Sequence, residues 1–209
     1  MVGHGYSSVK SATLYLTTLE IIAIITGLGS VWFSRQASIL TYPVGLINTS
    51  LYVYLSFINH LPGEATVNFY YTVMSIYGWY MWGRRNEQNE KVLQVTFSDA
   101  RLWRLQLIFF ALIYGVVFAG IYFLKDIWWE GAIPWADGFA TATAFTGMWL
   151  MTRKKVESWY WWIATNIASI PLYYVKGLQL TSGYYFILLI FAFWGLATWK
   201  QKASSKRSD

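Results

Sequence analysis

The chain has 209 residues, of which 56% are hydrophobic, 20% aromatic and only 12% charged, and it carries a net charge of +6. A soluble domain has about 25% charged residues, so this composition belongs in a bilayer. The basic residues flank apolar stretches instead of forming a stripe between stacking aromatics, which argues against nucleic acid as partner, and the absence of cysteine excludes disulfides, thiolate metal sites and thiol nucleophiles.

A membrane-crossing helix needs about 20 mostly apolar residues. Seven stretches meet that need: Ala12–Phe33, Tyr42–Ile58, Val67–Trp82, Leu105–Leu124, Trp135–Met151, Trp159–Val175 and Tyr184–Trp199. The start MVGHGYSSVK is weakly charged and bulky GSVWFSRQ follows the first stretch, so no cleaved signal peptide is expected. Several stretches are short, and interfacial Trp and Tyr at their ends accommodate this. The fourth, LQLIFFALIYGVVFAGIYFL, is nearly free of strong polar groups and reads as a packing strut. Pro171 interrupts the sixth, where it frees a carbonyl one turn earlier and predicts a kink.

Alternate connections carry very different numbers of basic residues. One side holds Lys10, Lys125 and Lys176. The other holds thirteen: Arg35, Arg84, Arg85, Lys91, Arg101, Arg104, Arg153, Lys154, Lys155, Lys200, Lys202, Lys206 and Arg207. Under the positive-inside rule the N-terminus lies outside and the C-terminus in the cytoplasm. Gaining or losing one span would scramble the asymmetry, so it supports the number seven independently of hydropathy.

The second half replays the first. Adding 117 takes Glu20 to Asp137, Trp32 to Trp149, Gly78 to Gly195 and Trp82 to Trp199; adding 118 takes Asn48 to Asn166 and Arg35 to Arg153, which implies a one-residue slip in a loop. If spans one to three match spans five to seven, the fourth is a connector and the repeats are parallel, related by a pseudo-twofold axis along the membrane normal. The chain then forms one transmembrane domain: a first triple-helix bundle over 12–82, a loop, linker helix and outer loop over 83–134, a second bundle over 135–199, and a tail over 200–209.

Within this frame WYWWIATN places Trp162 and Asn166 one helical turn apart on one face, and at about 1.5 Å per residue Asn166 lies near mid-membrane. Asn48 reaches a similar depth, and a twofold axis would set both carboxamides around one cavity. A carboxamide unpaired in hydrocarbon costs several kcal/mol. Both therefore face protein, water or ligand, interhelical hydrogen bonding being the plain alternative. Trp162 has an interfacial role as its competitor, whereas Trp128, Trp129, Trp135 and Trp159 read as belt residues. The third span offers Tyr71, Ser75 and Gly78 on one face with Asn68 nearer the outer end, and the seventh offers Trp194; for Tyr71 and Trp194 core packing is the competing reading. Aromatic planes and carboxamides at mid-depth suit a flat, especially cationic, heteroaromatic ligand. Glu20 and Asp137 either attract a cation at the outer vestibule or anchor helix ends through Lys125 or Lys176.

There is no G-x-x-x-x-G-K-[ST] loop and no His-rich metal cluster, His4 and His60 both lying on the outer side. The last span has no lysine for a retinal Schiff base, and no nucleophile stands beside a base. Neither an enzyme, a resident cofactor nor a metal site is expected.

The strings TYPVGLINTSLY, SIYGWYMWGRR and LMTRKKVESWYWWIATNIAS resemble the PnuC vitamin transporters, known as nicotinamide riboside carriers, over about Glu20 to Trp199. The resemblance implies a SWEET-like 3+1+3 fold and passive uptake of a vitamin that a cytosolic kinase then traps. It also implies that Trp162 and Asn166 are the family's Trp-x-x-x-Asn ligand pair. Asn68 and Ser75 stand where that family has Gln and Asn, and Trp194 where it has Asn, which leaves thiamine and riboflavin as alternatives to nicotinamide riboside. A non-transporting vitamin-binding or sensory membrane protein is the reading from another class, a sugar carrier of the same architecture is a third, and a homo-oligomer is compatible with all of them.

Overall fold

The structure, a computed structural model, describes the backbone of residues 3–58, 62–128 and 131–205 and the side chains of 14–58, 63–124 and 131–205. The side chains of His4, Lys10, His60, Lys125, Trp128, Trp129, Lys206 and Arg207 fall outside that set. Seven helices occupy the described residues: α1 (Gly3–Arg35), α2 (Thr41–Ile58), α3 (Pro62–Gly83), α4 (Ala100–Trp128), α5 (Pro134–Thr152), α6 (Ser158–Val175) and α7 (Gln179–Ser205). Each contains one of the seven apolar stretches.

Three of them are long and apolar enough to span a bilayer by length and composition alone: Leu14–Arg35, Ala100–Leu124 and Gln179–Ser205. The others are shorter and carry the Asn, Thr, Ser and Gly of the chain's interior. Helix α5, for instance, buries Thr143, Thr146, Gly147 and Thr152. A helix shielded from lipid by its neighbours has no need of a continuous apolar surface, and small residues let neighbouring backbones approach. Conversely Phe57, Phe123 and Leu180 are largely exposed, as lipid-facing residues should be.

The packing forms a closed ring in which α1 lies on α2, α2 on α3, α3 on α5, α5 on α6, α6 on α7 and α7 on α1; α4 stands outside it against α5. Helices α1–α3 form one trio and α5–α7 another, meeting along the α3–α5 and α1–α7 seams. Gln106, fully buried on α4, accepts a hydrogen bond from Trp161 Nε1 at 2.7 Å, so α4 is pinned to the second trio. Helix α6 runs unbroken through Pro171.

The two trios repeat with an offset of 117 throughout. Arg35 and Thr152 end α1 and α5, Thr41 and Ser158 open α2 and α6, Ile58 and Val175 close them, and Pro62 and Gln179 open α3 and α7. The turns agree atom by atom. Ala37 (φ 56°) and Lys154 (φ 52°) both adopt left-handed backbone, and the pairs Ala37 N to Ser34 O and Ser38 N to Phe33 O recur as Lys154 N to Met151 O and Lys155 N to Leu150 O. This is the Schellman closure of a helix, usually built with glycine. The slip expected from the sequence does not occur. Asn48 is therefore equivalent to Thr165, and Asn166 to Thr49; the two carboxamides are not symmetry mates.

Four basic connections crowd the end where α1, α3, α5 and α7 finish, called here the basic end. The segment between α3 and α4 lies across it: Thr96 bonds the backbone of Lys154 and Val156, and Glu157 Oε2 accepts from Ser98 N (2.9 Å) and Oγ (2.7 Å). Beneath that segment Lys154 is buried, its Nζ donating to Leu93 O at 3.1 Å and lying 4.5 Å from the Trp82 ring centre. Trp159, expected in an interfacial belt, is instead 1% exposed at the core of this end, whereas Trp135 does lie exposed at the other. A tryptophan's type does not state its depth.

Two outcomes follow. A β-carbon at Gly195 would lie 2.5 Å from the Trp159 ring, and one at Gly78 still closer to the Tyr42 ring, whereas one at Gly115 would meet nothing within 4 Å. Gly78→Ala and Gly195→Ala should each cost about 1–3 kcal/mol of stability, seen as a lower melting temperature in detergent, and Gly115→Ala should cost nothing. Burial, followed by the nearby Lys91 and Lys202, pushes the Lys154 ammonium down from 10.5 to about 8. The folded chain then binds fewer protons than the unfolded one between about pH 8 and 10.5, so this group's contribution to stability rises with pH across that window. The melting-temperature difference between the wild-type chain and Lys154→Met should shift in favour of the wild type from pH 7.5 to 9.5.

Candidate functional site

Helix α6 sends three faces to three neighbours. Trp161 points to α4, and Thr165 donates to Thr143 Oγ1 of α5 at 3.0 Å or to its own Trp161 carbonyl at 2.9 Å. The third face carries Trp162 and Asn166. The Trp162 indole lies over Gly147 of α5, where a β-carbon would sit 3.3 Å from the ring, so the glycine is what lets it lie flat there. Across the ring of helices Tyr71 of α3 approaches it, with centroids 6.1 Å apart at 43°. Phe145 of α5 completes the group, 6.1 Å and edge-on to Tyr71.

Asn166 is 3% exposed, and among the described residues its carboxamide makes no hydrogen bond; nor do the Trp162 indole N–H, the Tyr71 hydroxyl or the Ser75 hydroxyl. Buried polar groups nearly always find a partner, because leaving one unpaired costs about 1–3 kcal/mol. Here Asn166 and the Trp162 indole on α6, and Tyr71 and Ser75 on α3, make no side-chain hydrogen bond among the described residues, and two of them are the facing aromatic planes, an arrangement that a heteroaromatic ligand with polar edges would complete. Ser75 sits one turn from Tyr71, toward Gly45 of α2.

Other expected residues lie apart. Asn48 is half-buried and donates through Nδ2 to the Ala23 carbonyl of α1 at 2.6 Å, close to Gly27 and the Tyr184 hydroxyl, so it clamps α1 to α2. Asn68 bonds Glu64 O one turn back at 2.9 Å. Trp194 is 47% exposed on the outer surface of α7, its ring 3.7 Å from the Arg35 guanidinium and edge-on to Trp32. It belongs to a surface cation–π stack and not to the interior, because its ring packs on Trp32 and Arg35 of α1. Glu20 is exposed on α1. Asp137 pairs with Lys176 Nζ at 2.6 and 2.8 Å and accepts the Ile133 backbone N–H at 2.6 Å, anchoring the first turn of α5. Of the two roles considered for Asp137, helix anchoring is the one its contacts fulfil. No group of three or more metal-ligating side chains occurs among the described residues.

Two contributors escaped the sequence reading. Tyr70 stacks on Phe145 at 3.8 Å and donates to its carbonyl at 3.0 Å, tying α3 to α5 beside the cluster. Gly147 was legible in principle, since TATAFTG is a run of small residues within an apolar span. Two surface cavities, about 440 and 430 Å³, lie elsewhere, against Ile39, Trp79 and Tyr80 and against Val92, Arg153 and Lys155.

The family model for nicotinamide mononucleotide transporters matches residues 17–201, nearly the whole chain. The chain belongs to this transporter family. Relatives of this member of the transporter family include the nicotinamide riboside transporter PnuC of Escherichia coli strain K12, 27% identical over 92% of this chain and 89% of the relative. The riboflavin/roseoflavin transporter RibM of Streptomyces davaonensis is 25% identical over 86% and 83%. The crystal structure of the vitamin B3 transporter PnuC superimposes with a TM-score of 0.71 at 24% identity, covering 96% of this chain and 88% of that one. The fold is that of a multi-pass membrane transporter, and the family's members are carriers, not enzymes.

Because Asn48 has a protein partner and Asn166 has none, the two carboxamides separate by experiment. Asn48→Ala should lower the melting temperature in detergent, by about 1 kcal/mol of lost hydrogen bonding. Asn166→Ala should leave it unchanged or raise it.

Proposed function

We propose that this chain carries nicotinamide riboside across the membrane by facilitated diffusion, the two trios rocking about a site between Trp162 and Tyr71. The observation that carries the reading is the Asn166 carboxamide, 3% exposed and without a hydrogen bond among the described residues, one turn from Trp162, whose ring faces Tyr71. Stacking a flat ring between two aromatic planes needs about 7 Å, twice the contact distance of carbon atoms. The rings stand at 6.1 Å and tilted. A small rotation of α3 against α6 admits the guest, Asn166 bonds its polar edge, and a cationic ring gains cation–π attraction. The family membership and the similarity to the Escherichia coli carrier support the same substrate class.

The rocking bodies are residues 12–82 and 135–199, with α4 travelling with the second because Gln106 and Trp161 join them. The basic end faces the cytoplasm, on the positive-inside argument. Net uptake needs no ion coupling in this scheme: a cytosolic kinase that phosphorylates the entering vitamin keeps its free concentration low without touching the carrier.

A second reading, a riboflavin carrier, has the similarity to RibM in its favour. Ser75 and Asn68 offer fewer amide edges to the ligand than Gln and Asn would, and thiamine, another flat cation, is the further candidate. Counterflow in proteoliposomes separates them. Labelled nicotinamide riboside should exchange, with riboflavin and thiamine competing weakly; exchange of one of those two alone would replace the substrate assignment. Asn166→Ala and Trp162→Ala should each weaken binding of the carried vitamin at least tenfold, while Asn48→Ala leaves its affinity unaltered. Undiminished affinity in Asn166→Ala would remove the site.

A further inference from the structure

At the basic end a tryptophan of each trio reaches across to the other. Trp82, the last turn of α3, donates its indole N–H to the final carbonyls of α5, Met151 O at 3.2 Å and Thr152 O at 3.1 Å. Trp199 of α7 does the same for α1, at Ser34 O (3.0 Å) and Arg35 O (3.1 Å). The two indoles are repeat mates, are 3% and 0% exposed, and touch each other with centroids 6.0 Å apart. The Schellman turns already donate to Ser34 O and Met151 O, so it is Arg35 O and Thr152 O, the last carbonyls of α1 and α5, that rely on the indole of the opposite trio.

Each indole is also held rigidly within its own trio. Tyr42 meets Trp82 edge-on at 4.9 Å, and Trp159 meets Trp199 at 5.6 Å. Gly78 and Gly195 give the Tyr42 and Trp159 rings their seats. Tyr42, Gly78 and Trp82 thus form one three-residue unit on α2 and α3, and Trp159, Gly195 and Trp199 its twofold copy on α6 and α7. The plane between the units, crossed by the indole bonds, is where they can part without disturbing either.

One more pair of atoms points the same way. The Tyr42 hydroxyl and the Trp159 indole N–H are buried without a hydrogen-bond partner, and they occupy equivalent positions in the repeat. An unpaired donor disfavours the state in which it is buried. Parting the units would wet both, so the closed arrangement is strained in a manner that opening relieves.

We propose that Trp82 and Trp199 are the two leaves of the gate at the basic end: reciprocal indole bonds hold it shut, and release of the substrate on that side requires both to detach from the opposite trio. This rests on the reading of the chain as an alternating-access carrier. The two N–H donors close the gate together with Lys154, whose ammonium lies 4.5 Å from the Trp82 ring centre, and Lys202, which donates to Gln36 O at 2.5 Å; the two unpaired groups behind them favour reopening.

The chain has no cysteine, so a single introduced thiol reports alone. Thr152→Cys and Ser34→Cys place it under Trp82 and Trp199 respectively, at buried positions, and Ser182→Cys places one at a buried position near the other end. Maleimide labelling is followed in detergent, with each indole donor removed by Trp82→Phe or Trp199→Phe, singly and together. The proposal expects labelling at Thr152→Cys or Ser34→Cys to accelerate at least tenfold when the tryptophan above it is changed, and more in the double variant, with Ser182→Cys unaffected. Equal acceleration at all three positions would reduce the indoles to general stabilisers, and no acceleration would deny them any gating role; either overturns the proposal. Labelling needs no substrate, so failure of the gate leaves vitamin exchange by the unaltered chain intact, whereas failure of the transport reading appears as absent counterflow.

Discussion

Helix ends are hard to place in a medium that cannot hydrogen-bond, and this molecule's organisation follows from how it ends α1 and α5. Their last carbonyls need donors, and water is scarce near the lipid boundary. The chain supplies an indole N–H from the opposite trio at each end, at 3.0–3.2 Å. That choice makes the two trios depend on each other at the basic end. It also requires the Schellman turn after each helix, the aromatic pairs that hold the indoles upright, and the glycines that give those aromatics room.

Away from that end the two seams are made differently. Tyr70 ties α3 to α5 by stacking and by one hydrogen bond, and the equivalent α7 position is Ile187, which has no hydroxyl to donate. The twofold frame therefore carries an asymmetric interior. Trp162 has Gly45 as its mate, Asn166 has Thr49, and Tyr71 has Leu188. Thr49 is already satisfied by the Thr72 hydroxyl at 2.9 Å, while Asn166 is not. The scaffold is symmetric and the substitutions fall on one half, so the interior between the trios is unsymmetrical.

The linker helix shows the same economy of means. It crosses the membrane to restore the direction of the second trio, exposes its apolar face to lipid, and buries one amide, Gln106, against Trp161. A polar bond in hydrocarbon is directional, so one such bond suffices to decide which trio the linker follows.

The seven helices were legible in the residues, because a span must be apolar over a fixed length. So was the Trp162–Asn166 pair, since i, i+4 spacing settles which side chains share a face. The register of the repeat was not: in a chain with 13 Trp, chance identities at 118 compete with true ones at 117, and only the turns at Ala37 and Lys154, which share a backbone shape and no side chain, decide between them. Depth and direction were hidden for the same kind of reason. Trp159 and Trp194 have the same chemistry, yet one is sealed in the core and the other stacks on Arg35 at the surface. Periodicity along one helix specifies which residues lie together on a face; what that face meets is settled by the neighbouring helices, whose positions depend on the packing of the entire ring.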